Sequence, residues 1–188
     1  MAMSVHTRRF TADELADLPD DGNRYEVIDG ELFVTPAPMV VHQRVLMMFL
    51  RRLDPYAANC GLELLPAPTA VRASPVTEVQ PDLLVLSGAA DAEEDGKRIR
   101  MRALWLAVEV LSPSTKGLDR ERKRTTYMEN GVREYWIVDG ATRSVDVRTP
   151  ASKSASTIRE SLIWYPVREI EALRIDLPSL FREVYREE

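Results

Sequence analysis

Two acidic residues lie inside apolar segments of the sequence, where a globular protein seldom places a charge. Asp82 stands at the start of the apolar run 81–86, and Glu109 interrupts the run 104–111. Both runs are short, continuous and rich in branched aliphatic residues, which is typical of a strand covered on both faces. A carboxylate there is costly unless a cation, a metal or hydrogen bonds compensate it. We therefore predict a shared divalent-metal site that hydrolyses phosphate esters.

A helix predicted over residues 117–130 follows the second acidic strand and adds a third group. Asp119, Lys123 and Tyr127 recur every four residues, so they share one helix face. Tyr127 belongs to the apolar side of the helix, which would turn this face toward the sheet and bring the Lys123 ammonium beside the two acids. It could then neutralise the charge of the pentavalent phosphate, or orient and deprotonate an attacking water, while the acids bind Mg²⁺. The alternative is an exposed Asp119–Lys123 pair worth less than about 1 kcal/mol.

The surrounding elements predict a mixed α/β (α+β) domain. Asp29-Gly30 between two alternating segments is a strong hairpin signal. An amphipathic helix is predicted over residues 40–56, and Gly131 is placed to end the second helix in the left-handed conformation. Further strands are expected near residues 63–65, 69–73, 135–138, 144–148, 162–166 and 173–177, with a short helix over 178–185. We expect a single domain over residues 11–188, preceded by a flexible tail of residues 1–10.

Composition narrows the class of protein. The chain has 188 residues, 25 of them basic and 30 acidic, which gives a net charge of −5. This balance argues against a protein that coats nucleic acid, but it permits an enzyme with a local basic patch, for which residues 97–102 and 116–124 are candidates. The single cysteine, Cys60, excludes an intramolecular disulfide and a cysteine zinc cluster. No apolar stretch approaches the ~20 residues of a membrane span, and residues 1–9 lack a signal-peptide core, so we expect a cytoplasmic protein.

Four segments, in this order, resemble the Uma-type putative restriction endonuclease family of the PD-(D/E)XK nuclease superfamily. They are RYEVIDGEL at 24–32, QPDL at 80–83, VEVLSPST at 108–115 and GVREYWIVD at 131–139. The resemblance extends over residues 11–181. It implies a restriction-endonuclease-like core, in which a mixed β-sheet is flanked by helices and preceded by a β-hairpin. It also implies that Asp82 and Glu109 bind the metal.

The sequence departs from the superfamily signature at the lysine. The superfamily has Glu-x-Lys, but here Leu111 occupies the lysine position. In nucleases of this class the lysine can lie on the following helix, and Lys123 matches the position where the Uma-type pattern has one. Lys116 is the second candidate. The resemblance therefore indicates the metal ligands more firmly than the catalytic lysine.

Three further observations concern accessory residues. His42, followed by Gln43 as in the family pattern, could contribute to the site or only hydrogen-bond at the start of its helix. Glu26 could be an accessory carboxylate, or it could be solvent-facing or salt-bridged. The three tryptophans lie in apolar runs and are expected in the core: Trp105, Trp136 and Trp164.

The leading functional prediction is a Mg²⁺-dependent endonuclease, with Mn²⁺ as a substitute, that hydrolyses double-stranded or branched DNA by a metal-activated water. We expect the two metal-binding carboxylates to lie roughly 4–5 Å apart, and at least one to have a raised pKa. A homodimer related by a two-fold axis would cut both strands, and residues 177–185 offer apolar surface for it. The rival prediction is a catalytically silent nuclease fold that binds DNA or a protein partner. A weaker one is a phosphodiesterase acting on RNA or nucleotides.

Overall fold

Strands dominate the described part of the chain. The structure is a computed structural model, and it describes residues 3–4, 8–87, 98–113, 117–152 and 154–187. The strands in these residues are β1 Met3–Ser4, β2 Arg24–Ile28, β3 Glu31–Thr35, β4 Glu63–Pro66, β5 Ala70–Ser74, β6 Thr77–Val79, β7 Leu83–Leu86, β8 Arg98–Arg100, β9 Leu104–Val110, β10 Glu134–Asp139, β11 Ser144–Arg148, β12 Ser156–Ile158, β13 Ser161–Trp164 and β14 Leu173–Asp176. The helices are α1 Val40–Asn59, α2 Arg124–Glu129 and α3 Leu177–Tyr185, with a 3₁₀-helix at Asp13–Asp17 and a π-helical turn at Leu118–Lys123 directly before α2.

The central sheet has the strand order β12-β11-β10-β9-β7-β4. Strands β9 and β10 are parallel, whereas the other neighbours in this sheet are antiparallel. Leu83 and Val85 of β7 pack in the core with α1 and α3, while Leu84 and Leu86 pack in the core with α2 and the second sheet. Both faces are therefore covered, which explains why the sequence of these strands is continuously apolar. The mixed sheet flanked by helices is the architecture predicted from the sequence.

A second sheet, with the order β1-β3-β2-β6-β5-β8, covers one side of the central sheet. Its β2–β3 hairpin turns at Asp29 and Gly30, whose φ angles are 53° and 81°. Two successive positive φ angles match the twist of a tight hairpin, and glycine adopts the second without strain. The predicted hairpin is thus confirmed. It brings Arg24 and Glu26 of β2 toward the residues that precede β7.

Several predicted boundaries are wrong. Helix α1 continues to Asn59 through Pro55, beyond the predicted end near residue 56. Strand β8 lies in the segment 97–102, for which the sequence predicts only a basic patch, because its alternation contains a single apolar residue, the buried Ile99. Strands β6 and β12 are not among the predicted strands. Lys97 lies outside the described residues.

The C-terminal helix contributes to the protein's own core. Asp176 caps α3 by accepting a hydrogen bond from the Ser179 amide, at 2.6 Å. The apolar residues of this helix are buried among the side chains of α1 and the central sheet: Leu177, Leu180, Phe181 and Val184. The apolar surface on which we based the homodimer is therefore not available to a partner, and the dimer stays a prediction. No helix in the described ranges is long and apolar enough to span a membrane.

The tryptophans follow the prediction in most respects. Trp136 and Trp164 are buried and meet edge-on, with their ring centroids 6.0 Å apart. Trp105 is half-buried against the same core, and the Arg133 guanidinium lies 3.5 Å from the centre of its ring. Such a stacked cation covers the ring face that a base would need. None of the three lines the cavity described below.

Candidate active site

Asp82 and Glu109, the two acidic residues of the apolar segments, lie side by side on neighbouring strands of the central sheet. Antiparallel pairing of β7 with β9 places Leu83 opposite Val108, so the same register places Asp82 opposite Glu109. Both residues line one cavity of about 780 Å³ that opens beside the start of α1. Adjacent strands are therefore confirmed, while the 4–5 Å separation of the carboxylates stays a prediction. Each side chain is 2% exposed.

Three groups hold the Asp82 carboxylate. The Arg24 guanidinium donates to Oδ1 at 2.9 Å, the Val110 amide donates to Oδ2 at 2.8 Å, and His42 Nε2 lies 3.0 Å from Oδ2. Burial raises the pKa of Asp82, but the His42 hydrogen bond and the Arg24 charge outweigh it and hold the pKa well below its ordinary value. Asp82 is consequently ionised throughout the neutral range. His42, the third residue of α1, reaches the site itself rather than only the helix start.

Glu109 is placed differently, because its partners come from the helix above the sheet. Lys123 Nζ and the Tyr127 hydroxyl both donate to its Oε1, each at 2.9 Å. Burial raises the pKa of Glu109 and Lys123 opposes this, but Asp119, Asp82 and Glu26 raise it further. The net effect is a pKa well above the ordinary value. The prediction that at least one of the two acids has a raised pKa is thus met at Glu109.

Lys123 is buried between carboxylates. Its ammonium lies 2.8 Å from Glu26, 2.9 Å from Glu109 and 3.7 Å from Asp119, and the residue is 1% exposed. Burial lowers the pKa of Lys123, but Glu109 and Glu26 more than reverse this and raise it above its ordinary value. The interpretation of Asp119–Lys123 as an exposed surface pair is therefore wrong. Lys123, the first candidate for the lysine missing from Glu-x-Lys, does reach the glutamate.

The π-helical turn determines which helix face meets the sheet. It spans Leu118–Lys123 and winds more residues per turn than the α-helix that continues from it. Asp119, Lys123 and Tyr127 are all buried as a result, as the four-residue spacing predicted. The Tyr127 ring packs on Tyr135, with centroids 4.7 Å apart, and the Tyr135 hydroxyl donates to the Asp119 carbonyl at 3.0 Å. Burial and the Glu109 charge raise the pKa of the Tyr127 hydroxyl, so it stays a proton donor to Glu109.

Glu26 lies beside this lysine. It is 1% exposed, and its Oε1 also accepts the Gln80 amide hydrogen at 2.6 Å. Of the roles considered for it, the salt bridge is confirmed and the solvent-facing position is wrong. Lys116, the second lysine candidate, lies outside the described residues.

Sequence reasoning missed Arg24. Its guanidinium links Asp82 to the Gln80 carbonyl, to which it donates at 3.0 Å. The charges of Asp82, Glu26 and Glu109 outweigh burial and raise the pKa of Arg24 above its ordinary value. The signal was present, since Arg24 and Glu26 are two residues apart on one strand and must share a face. The buried acid Asp82, beside β7 of the other sheet, needs a cation of this kind.

With the geometry established, comparisons with known proteins identify the family. The model of the Uma2 family, described as a putative restriction endonuclease, matches residues 12–172. The chain belongs to this family. A crystal structure of a putative nuclease belonging to DUF820 from Anabaena variabilis superposes with a TM-score of 0.75 at 18% identity, covering 93% of this chain and 99% of that one. This likeness shows a shared fold. No curated protein matches the sequence.

Membership in Uma2 raises the question of a metal, since restriction-endonuclease-like families generally use divalent ions. Three carboxylates, those of Glu26, Asp82 and Glu109, lie within 3 Å of two described cations, Lys123 and Arg24, and Asp119 lies 3.7 Å from Lys123. Burial raises the pKa of Glu109, and the neighbouring carboxylates raise it further. Hard oxygen donors with uncompensated charge fit a small divalent cation. Asp82 and Glu109 are the pair that lines the cavity, so they are the residues that would hold it.

The described residues contain no group of three or more His, Cys, Asp or Glu arranged to hold a metal. Magnesium does not require such a group, because it is commonly bound through one or two carboxylates and completes its shell with water and substrate phosphate. The donor set therefore fits Mg²⁺ or Mn²⁺ better than zinc, which prefers a closed set of nitrogen and sulfur ligands.

Proposed function

We propose that this Uma2 protein is a divalent-metal-dependent endonuclease that hydrolyses DNA phosphodiester bonds. The observation that carries the proposal is the convergence of Asp82, Glu109 and Lys123 at one cavity. Two carboxylates from neighbouring strands and an ammonium from the next helix are the groups that hydrolysis of a phosphodiester needs. A bound Mg²⁺, with Mn²⁺ as a substitute, would be held by Asp82 and Glu109 and would supply Lewis-acid polarisation of the phosphate and a nucleophilic water at neutral pH.

Lys123 acts as a fixed positive charge in this proposal. Its neighbours raise its pKa, so it keeps its proton at neutral pH and is poorly suited to deprotonate a water. The ammonium can instead stabilise the charge that develops on the phosphate oxygens in the transition state. Of the two roles considered for the lysine, charge neutralisation is thus the better supported.

The remaining residues orient these groups. His42 and Arg24 fix the two oxygens of Asp82, and Tyr127 fixes Oε1 of Glu109. Hydrogen bonds to metal-binding carboxylates set the direction of the free lone pairs and tune the affinity for the ion. Glu26 shares the Lys123 ammonium with Glu109 and so restrains its position.

The rival function is a silent nuclease fold that binds DNA or a protein partner. It is favoured by the fact that Asp82 already accepts hydrogen bonds on both oxygens and that Lys123 pairs with Glu109. Such pairing could stabilise the site with no metal at all. Calorimetric titration with Mg²⁺ or Mn²⁺ separates the two functions, since the enzyme requires binding that disappears in Asp82→Ala.

The direct test is cleavage of negatively supercoiled plasmid and of branched oligonucleotides with Mg²⁺ or Mn²⁺. We expect the wild type to cut, Glu109→Gln to be inactive and Glu78→Gln to cut like the wild type. Glu78 is a suitable control because it is another buried carboxylate paired with cations, but it does not line the cavity. Absence of cutting by the wild type, or equal cutting by Glu109→Gln, would contradict the proposal.

Two further parts of the proposal do not rest on the geometry of the site. A homodimer would place two active sites on the two strands of a duplex. A cytoplasmic location agrees with the single cysteine. Light scattering with and without DNA tests the first, and a monomer under both conditions would remove it.

A further inference from the structure

The candidate catalytic groups lie at the bottom of a cleft, not on an open surface. Asp82 and Glu109 are 2% exposed and Lys123 is 1% exposed, yet all three line the same cavity. A scissile phosphate can meet them only by entering that cavity. The depth of the site therefore restricts which forms of DNA can be cut.

The size of the cleft limits the substrate further. A volume of about 780 Å³ lies in the range of pockets that enclose small molecules, about 300–1,000 Å³. It accommodates a short length of a single strand. It is too small to enclose a base-paired duplex, whose major groove alone is wide enough, at about 12 Å, to admit an α-helix. A strand must leave its helix before its phosphate can reach Glu109.

The walls of the cleft suit bases better than phosphates. One wall comes from the 3₁₀-helix, with Leu15 and Leu18, and the other from the segment 36–39, with Pro36, Pro38 and Met39. Among the described residues that line the cleft, the lysine and arginine side chains are those of Arg24 and Lys123, and both are paired with carboxylates. A duplex held by its backbone would require basic walls, whereas unpaired bases require apolar surface.

Two adjacent exposed apolar residues, Met39 and Val40, lie at the entrance of the cleft and are called the apolar step below. Met39 is 56% exposed and lines the cavity, and the adjacent Val40, which begins α1, is 69% exposed. Apolar surface exposed beside a groove is one mark of a binding site. Proteins that kink a duplex insert apolar side chains between base steps and partly unstack them.

We propose that the cleft accepts an unpaired DNA strand, as found in a flap, an overhang or a bubble, and that Met39 and Val40 pack against the base step where pairing ends. This rests on the proposed nuclease function and specifies its substrate class. Lys123 and the carboxylates then act on a phosphate of the unpaired strand.

The test compares oligonucleotides of one sequence as a blunt duplex, a bubble, a flap and a single strand, each with Mn²⁺ or Mg²⁺. We expect kcat/KM on the unpaired segments to exceed that on the duplex by about tenfold or more. Equal rates on the duplex and the bubble would overturn the inference while leaving the nuclease function intact. If no substrate is cut, the proposed function fails. Fluorescence anisotropy then measures binding of the same oligonucleotides to Glu109→Gln. The inference requires that this variant bind the single strand more tightly than the duplex.

A variant tests the apolar step without disturbing the fold. Met39→Ser/Val40→Ala replaces two exposed side chains by a good helix-capping residue and a good helix former. We expect it to lose roughly tenfold in kcat/KM on the bubble and flap, and to lose less on the single strand, which contacts the Met39 wall but has no base pair beside it. Met47→Ala is the control, because Met47 is an exposed methionine of the same helix outside the cleft. Unchanged bubble cleavage by the double variant, or an equal loss in Met47→Ala, would overturn the role of the step.

Discussion

Two clusters of charged side chains in this protein are built from the same residue types but differ in balance. The site cluster comprises Glu26, Asp82, Glu109, Lys123 and Arg24. The edge cluster lies on the second sheet and comprises Asp13, Glu78, Arg72 and Arg98. Among the described residues, three carboxylates share two cations in the first, whereas two carboxylates share two arginines in the second.

The difference in charge balance affects the pKa of an acid only where the cluster is buried. The glutamate of the edge cluster, Glu78, accepts from Arg72 at 2.8 Å and from Arg98 at 3.0 Å, while Asp13 lies largely in solvent. In the site cluster, Glu109 shares one ammonium with another carboxylate, and its pKa is raised. A matched cluster stabilises a fold, whereas a buried excess of one charge opposes it. An excess is expected where a further cation binds, so imbalance rather than the presence of ion pairs indicates the functional site.

The largest expected effect comes from neutralising one glutamate in each cluster. Glu109→Gln should abolish cleavage and Mg²⁺ binding, yet raise the Tm of the metal-free protein, because an amide removes a carboxylate whose ionised form is disfavoured at neutral pH. Glu78→Gln should cut normally but lose about 1–3 kcal/mol of stability, since the two arginines lose the negative charge of their buried acceptor. Cleavage assays and calorimetric unfolding of both variants check this. A lower Tm in Glu109→Gln would show that the site cluster is balanced after all.

The second prediction concerns the lysine. Lys123→Met should lower the cleavage rate by about 10²–10³ through lost charge stabilisation in the transition state. It should also destabilise the fold by about 3–5 kcal/mol, because Glu26 and Glu109 lose their buried partner. The double variant Glu26→Gln/Lys123→Met removes one charge of each sign and should recover much of the stability but none of the activity.

Two further substitutions show whether this lysine is the right one. Lys123→Arg should not restore cleavage, because a planar guanidinium cannot occupy the space of a compact ammonium. Lys116→Ala should cut at the wild-type rate. Stopped-flow or gel-based rates at saturating metal measure both. Full activity in Lys123→Met together with loss in Lys116→Ala would assign the role to Lys116.

A smaller effect is expected at His42, which contacts one oxygen of Asp82, a member of the proposed metal-binding pair. His42→Ala leaves Asp82 with the Arg24 and Val110 donors but removes the third contact. Loss of such an orienting group typically lowers metal affinity by about 10–100-fold. Calorimetric titration with Mn²⁺ measures it, and the Mn²⁺ concentration that gives half-maximal cleavage should shift by the same factor. An unchanged dissociation constant would confine His42 to a structural role.

The sequence predicted the site best where a residue type conflicted with its surroundings. Asp82 and Glu109 were recognisable as charges in apolar strands, and the spacing of Lys123 with Tyr127 indicated the buried helix face. The partners of these groups were harder to predict, because Arg24 and Glu26 reach the site through tertiary contacts with residues more than 50 positions away. The sequence of their strand, β2, has the pattern of an ordinary amphipathic hairpin strand.

The fold shows the same division. The hairpin at Asp29-Gly30 and the apolar strands β7, β9 and β10 follow from local pattern. Strand β8 could not be predicted, because its one buried side chain, Ile99, gives no period, and pairing with β5 alone makes it a strand. The π-helical turn also has no local signature. The turn brings Lys123 between two carboxylates that only the assembled sheets place there.

The smallest effect is expected at Glu134, a carboxylate with a raised pKa that lies outside the candidate site. Burial raises the pKa of Glu134 above its ordinary value of 4.5, and the hydrogen bond from Trp136 Nε1, at 2.6 Å, opposes this only in part. Because the fold favours the neutral form, its contribution is most favourable at low pH and declines as pH rises through 4.5 and then through the raised value. Glu134→Gln keeps an acceptor for the indole and should raise the Tm by about a degree at pH 7, but not near pH 4.

Cleavage and metal affinity should not change in Glu134→Gln. The Glu134 carboxylate does not line the cavity, and among the described residues it is hydrogen-bonded to Trp136 rather than grouped with a second acid. Thermal unfolding at both pH values, beside the same measurement on Glu109→Gln, gives the comparison. Both variants relieve a disfavoured charge, but only the one in the site cluster should also lose metal. If Glu134→Gln lost metal binding as well, charge imbalance at Glu109 would no longer distinguish the active site from an isolated buried acid.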